Sequence, residues 1–325
     1  IHPWTAARLG SPPPCVYGRR GAPTMAALTE PNCERDGAAG GVAAPSGRGA
    51  ITLALLAYAG AGDHILMTDS VYKPTRLFCD TVLARLGVET EYYDPLIAGD
   101  IGRLVRPNTR IVYTESPGSQ TMEIQDIPAI AAAAREKAGY ENGIVVLCDN
   151  TWGTSLYFAA LEKGVDVIIH AATKYVTGHS DAMLGAVSAN KAAWPALHDT
   201  WHTMGNCAGT EEIYIGLRGL RTMEVRLERQ MRAGIEIAEW LRARPEVETV
   251  LHPALPGAPG HELWKRDFTG ACGLFSLILK PVPQKKVAAM LDSLKLFGLG
   301  YSWGGYESLV IPFDPRKYRP ATKWD

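Results

Sequence analysis

Short, nearly uninterrupted apolar runs recur along the first two-thirds of the chain, and a longer segment of helical spacing separates each from the next. The runs HILMTDS (64–70), RIVYTES (110–116), IVVLCDN (144–150) and DVIIHAA (166–172) have the β-branched, continuously apolar character of strands buried on both faces. Between them AITLALLAYAGAG (50–62), PTRLFCDTVLARLG (74–87) and IPAIAAAAREKAG (127–139) read as helices that stop at glycine. Strands alternating with helices predict an α/β fold with a mostly parallel sheet.

In such a sheet, ligands bind beyond the carboxyl ends of the strands. Those ends hold Tyr72, Ser119 in Pro117-Gly118-Ser119, Asp149-Asn150, and Thr173-Lys174. Ser46, Gly47 and Arg48 precede a helix expected to begin near residue 49. Taken singly, each has an ordinary explanation. Asp149-Asn150-Thr151 suits a turn or a helix cap, and Tyr72 suits a half-buried aromatic. His179 and Asp181 are two metal-ligand types, too few for a site, so no metal is expected. Taken together they match one chemistry. Pyridoxal phosphate requires a lysine for its Schiff base and a carboxylate for its pyridine nitrogen. It also favours a helix N-terminus for its phosphate and a ring to stack on. Lys174, Asp149, the Gly47-Arg48 backbone with the Thr173 hydroxyl, and Tyr72 fill these places. A lysine at the end of a buried strand is otherwise costly, and an imine removes the charge.

The formal net charge of -1 offers nothing to nucleic acid or an anionic membrane. No apolar run has the length of a membrane span. The six cysteines are scattered with no CxxC pair, as expected of a cytoplasmic protein rather than a disulfide scaffold. The first 24 residues, rich in Pro, Gly and Arg, read as an irregular arm. The texture changes near residue 211, where a long Arg- and Glu-rich helical pattern begins. CGLFSLILKPV (272–282) then reads as a strand and PQKKVAAMLDSLKLFG (283–298) as an amphipathic helix. The expected organisation is an arm (1–24), a large cofactor-binding domain (25–222) and a smaller α+β domain (223–325).

The chain resembles the Cys/Met-metabolism group of pyridoxal-phosphate enzymes. The resemblance rests on YGRRGAPT (17–24), TDSVYKPT (68–75), ESPGS (115–119), DNTW (149–152), AATKYVTGHSDAMLG (171–185), GLRGLRT (216–222), HPALPGAPGHELWKRDFTGACGLFS (252–276) and YSWGGYES (301–308). YGRRG, DNTW, HELWKRDFTG and YSWGGYES are similar to the β-lyase branch in particular. The resemblance implies an aspartate-aminotransferase-like large domain (fold type I) and a cytoplasmic homotetramer built as a dimer of dimers. It implies that Lys174 carries the cofactor and acts as the base at Cα. Asp149 pairs with the ring nitrogen, and Tyr72 stacks on the ring. Gly47, Arg48 and Thr173 hold the phosphate from their own subunit, while Tyr17 and Arg19 reach that of the neighbour. Ser302 and Trp303, with Ser119, lie at the substrate end. The implied reaction is a carbon–sulfur lyase step of methionine biosynthesis by transsulfuration. It eliminates homocysteine from the amino-acid thioether cystathionine, leaving pyruvate and ammonia. A γ-acting relative, a cysteine desulfhydrase, or a non-catalytic fragment that keeps the fold are the alternatives.

Three departures stand out. Relatives have a longer N-terminal arm, and they continue past ATKWD with an arginine that clamps the substrate carboxylate, so both outer regions are expected to be truncated here. Arg316 and Arg319 are candidates to replace that arginine, although a solvated loop is the expectation for both. Pro31 falls where relatives run a helix, so the helix is expected either to start there or to be perturbed.

Overall fold

The computed structural model describes residues 17–18, 21–138 and 143–323. Helix α1 (Pro23–Asp36) leads into strand β1 (Gly40–Ala44), helix α2 (Gly47–Tyr58), β2 (His64–Thr68) and α3 (Lys73–Phe78). A π-helical turn (Cys79–Leu83) continues α3. Then come β3 (Glu89–Tyr93), β4 (Thr109–Glu115), α4 (Ile127–Ala138), β5 (Val145–Asp149), α5 (Thr154–Tyr157), β6 (Val167–His170) and β7 (Gly185–Ala189). These seven strands form one sheet in the order β1-β7-β6-β5-β4-β2-β3. Only β7 runs against the others, antiparallel to both β1 and β6.

Alternation along the strands sorts side chains onto two faces. Leu66, Val112, Val146, Cys148 and Ile168 pack on one side with Ile130 and Ala134 of α4. Ile65, Met67, Ile111, Leu147 and Ile169 pack on the other with Ile51, Leu53, Ala54 and Leu55 of α2. Both faces are covered, which is why the strand sequences read as nearly continuous apolar runs.

Two expectations need correction. Helix α1 starts at Pro23, not Pro31, and carries Pro31 in its interior. Pro31 lacks an N–H, so it forfeits one intrahelical bond. The neighbouring Asn32 side chain adds a bond, donating to the Leu28 carbonyl at 3.1 Å. The long helical pattern from residue 211 is two helices, α7 (Thr210–Leu220) and α8 (Met223–Arg242), after α6 (Trp194–Met204). Gly219 explains the tight fit at the break. A Cβ there would lie 2.3 Å from the Thr177 carbonyl oxygen. Arg226 then reaches back from α8, donating to Gly219 O at 2.7 Å and Tyr175 O at 2.8 Å. The helix break therefore clamps the turn that carries Lys174.

Beyond α8, β8 (Val247–Leu251) pairs antiparallel with β9 (Ser276–Leu279), and α9 (His261–Asp267) lies between them in sequence. Helix α10 (Gln284–Asp292) has no buried residue. The two-residue strands β10 (Gly298–Leu299) and β11 (Leu309–Val310) pair in parallel. No described helix is long and apolar enough to cross a membrane.

Candidate active site

The carboxyl ends of β2, β4, β5 and β6 and the start of α2 come together, and the turn after β6 brings Lys174 among them. Its amine donates to Ser302 Oγ at 2.9 Å and lies 5.2 Å from the Trp303 ring centre. Burial pushes the Lys174 pKa below the usual lysine range, and the Asp149 charge opposes that shift. Trp303 in turn packs on Tyr175, ring centres 5.4 Å apart. Gly304 has φ 80° and lies over the Lys174 backbone, where a Cβ would come within 3.0–3.1 Å. Only glycine takes that conformation at low cost and also leaves room for the lysine backbone. The YSWGG loop is thereby laid directly on the lysine.

Asp149 is buried at the end of β5. Its Oδ1 accepts the Thr151 backbone N–H at 3.0 Å and the Thr151 hydroxyl at 2.5 Å. Both bonds fall on Oδ1, which leaves Oδ2 as acceptor for a further donor. Burial raises its pKa, while the Thr151 bonds, His170 and Lys174 pull it back. A cationic ring nitrogen would add to that pull, because an opposite charge at contact favours the carboxylate. Tyr72 caps α3 and donates its backbone N–H to Glu115 Oε2 at 2.8 Å. Burial raises its phenol pKa, with Arg48 opposing and Glu115 and Asp149 adding, so these four side chains share one neighbourhood.

Helix α2 opens against the same turn. Ser46 Oγ accepts the Gly49 N–H at 3.0 Å, and the Ser46 carbonyl accepts that of Ala50 at 2.9 Å. The Gly47 and Arg48 N–H groups precede these and have no acceptor among the described residues. A Cβ on Gly47 would lie 2.5 Å from that of Ala171, so only glycine lets the helix start this close to β6. A phosphate suits such an N-terminus. The donor set therefore fits pyridoxal phosphate: a partly buried lysine, a buried carboxylate with an open oxygen, and free amides at a helix start.

Not every expected residue is placed as the sequence suggested. The Thr173 hydroxyl is engaged with Leu184, donating to its carbonyl at 3.0 Å and accepting its N–H at 2.9 Å. Its hydroxyl hydrogen is thus committed to a backbone carbonyl. Ser119 follows the cis Ser116–Pro117 bond, and its N–H donates to Ser70 O at 2.8 Å. Tyr17 is exposed, and Arg19 lies outside the described residues. His179 Nδ1 bonds the Thr177 carbonyl at 2.6 Å and Asp181 pairs with Arg218 at 3.0 Å. No group of three metal-ligating side chains forms among the described residues. Arg316 is an exposed residue of a short 3-10 turn (Pro315–Lys317), paired with Asp314 at 2.8 Å. Arg319 is not solvated: its side chain is only 4 % exposed and pairs with Glu123 at 2.5 Å, because the segment around it folds back onto the sheet end. The Ala321 and Thr322 amides and the Thr322 hydroxyl all donate to Asp69 Oδ2. Glu115 went unread as a site residue, although it ends β4 directly beside Asp149 in the ladder. Its position at a strand end was the available signal.

A model of the Cys/Met metabolism PLP-dependent enzyme family matches residues 6–319. The chain belongs to that family. A curated relative from Rhizobium johnstonii, named putative cystathionine beta-lyase, is 53% identical over 91% of this chain and 74% of its own length. The cystathionine beta-lyase MetC of Escherichia coli is 47% identical over 92% of this chain and 75% of its own. A crystal structure of cystathionine gamma synthase from Xanthomonas oryzae pv. oryzae, in complex with aminoacrylate and cysteine, superposes with a TM-score of 0.86 at 30% identity. It covers 92% of this chain, which spans 76% of that one. The family's fold type I architecture is the one described above, with a mostly parallel seven-stranded sheet, and the family depends on pyridoxal phosphate.

Proposed function

We propose that this chain is a carbon–sulfur lyase that eliminates homocysteine from L-cystathionine, leaving aminoacrylate that water hydrolyses to pyruvate and ammonia. The observation that carries the reading is the partly buried Lys174 amine, near the Asp149 charge and held 2.9 Å from Ser302 Oγ. The β rather than γ assignment is supported by 47–53% identity to proteins named as β-lyases, against 30% to the γ-synthase.

Lys174, Asp149, Tyr72, Gly47 and Arg48 are the residues that would hold the cofactor. Pyridoxal phosphate, when bound, withdraws electrons from the substrate Cα. Burial keeps Lys174 Nζ closer to its neutral form than a solvated lysine, so it can take the Cα proton. Asp149, whose Oδ2 is open, would keep the ring nitrogen protonated. The Ser302 hydroxyl orients Nζ, and the Trp303 ring flanks it, its centre 5.2 Å away.

The same reading includes a cofactor-binding unit over residues 25–222 followed by a smaller unit over 223–325. It includes a homotetramer in which Tyr17 and Arg19 reach a neighbouring subunit's phosphate, and a cytoplasmic location. The exposure of Tyr17 and the five free cysteines among the described residues support it.

Product analysis with L-cystathionine tests the reaction. Pyruvate with homocysteine is expected; 2-oxobutyrate with cysteine would mean γ-cleavage. Lys174→Ala should lower pyruvate release by about 10²–10⁴-fold, and a fully active Lys174→Ala variant would reject the assignment.

A further inference from the structure

Glu115 ends β4 and Asp149 ends β5, and the two are register partners in the parallel ladder. Register partners point to the same face. The two side chains therefore leave neighbouring strands, about 4.8 Å apart, on the one face that α2 covers. Two carboxylates on adjacent strand ends repel each other, and partial burial adds to the preference for the neutral form of one of them.

The surroundings decide which one. Asp149 accepts two bonds from Thr151 and faces Lys174 and His170. Glu115 accepts one, from the Tyr72 amide, and no other bond to its carboxyl forms among the described residues. The charged and titratable groups about it are Asp149 and Cys148 on β5, Tyr113 on its own strand, Tyr72, Glu123 on the loop after β4, and Arg319. Arg319 is engaged with Glu123 itself. Burial first, and Asp149 second, hold the Glu115 pKa well above the carboxylate range.

We infer that Glu115 works as a neutral carboxylic acid, a positioning residue that leaves the site's negative charge on Asp149 and holds Tyr72 in place through Oε2. The inference rests on the reading of Asp149 and Tyr72 as cofactor residues. In the neutral acid one oxygen is a carbonyl acceptor and the other a donor. Oε2 takes the Tyr72 amide, so the proton sits on Oε1.

Glu115→Gln and Glu115→Ala separate the possibilities. Glutamine copies the shape and hydrogen bonding of the neutral acid but cannot ionise. Pyridoxal phosphate affinity of Glu115→Gln should stay within about twofold of wild type at neutral pH. Glu115→Ala, which loses the bond to Tyr72, should bind about two- to tenfold more weakly. The cofactor-free proteins supply an independent reading. A proton held by folded Glu115 and released on unfolding makes stability fall as pH rises above the ordinary glutamate range. The wild-type melting temperature should therefore decline more steeply toward alkaline pH than that of Glu115→Gln. Parallel declines, or a glutamine variant no better than alanine at binding, would overturn the inference. Failure of the wild type to take up pyridoxal phosphate would overturn the functional reading, and the Tyr72 role with it.

Discussion

The sheet that presents Lys174 and the segment that presents Ser302 are packed by different means. In β6 every residue is buried, and in β5 only Val145 is partly open. In α10 none is buried, and β9 is partly exposed throughout. Leu296 and Tyr301, near the YSWGG loop, are 87 % and 82 % exposed. The amine thus stands on a closed, doubly covered floor, while its hydroxyl partner stands on a thinly packed wall. Local opening concentrates where buried apolar contacts are few, so the wall is the part expected to yield first. The floor fixes where the proton leaves, and the wall can adjust to what is bound.

Truncating one leucine in each region gives the largest expected contrast. Leu147→Ala in β5 should cost about 2–5 kcal/mol. Leu296→Ala should change stability by less than about 0.5 kcal/mol. Equal losses in denaturant melts would erase the distinction. An acid limb sharpens it next. His252 follows β8 and is fully buried beside Phe275. Its Nδ1 accepts the Ala254 N–H at 3.2 Å, and its Nε2 has no partner. Protonating Nδ1 would set it against that N–H, and burial pushes the His252 pKa down to about 4 from 6.5. Between these values the unfolded chain takes a proton the folded one refuses, so stability falls as pH falls, by up to about 3 kcal/mol. His252→Gln should flatten that limb, and identical acid limbs would exclude His252 as its source. The smallest effect is at the seam itself. Ser302→Ala removes a bond worth about 0.5–1.5 kcal/mol, so pyruvate release should drop roughly two- to tenfold with cofactor uptake unchanged. Unaltered turnover would leave the wall no part in orienting Nζ.

What was legible in the sequence follows the same division. Strands β2, β4, β5 and β6 announce themselves because both faces are buried. β1 (GGVAA) and β7 (GAVSA) carry too little bulk to read as strands. Close approach explains their small residues: a Cβ on Gly40 would lie 2.4 Å from the Trp194 ring, and one on Gly185 would lie 2.2 Å from Ser46 O. β3 (ETEYY) is an edge strand whose charges hide its pattern. In the site, Lys174, Asp149 and Tyr72 were legible because strand ends can be counted. Glu115 needed the register, which sequence does not give. Ser302 and Trp303 came through resemblance alone, since no local pattern ties them to a lysine so far away. Arg319 read as a loop cation because its partner Glu123 is likewise remote in sequence.

The bond between Lys174 and Ser302 also sets an order of assembly. The two residues are 128 positions apart. At about 5–20 residues per second, a ribosome takes roughly 6–26 s to make the intervening stretch. The sheet with its lysine is synthesised first, and the hydroxyl that will orient the amine arrives last. During translation, then, the anchor for the cofactor exists before the wall that will receive the substrate.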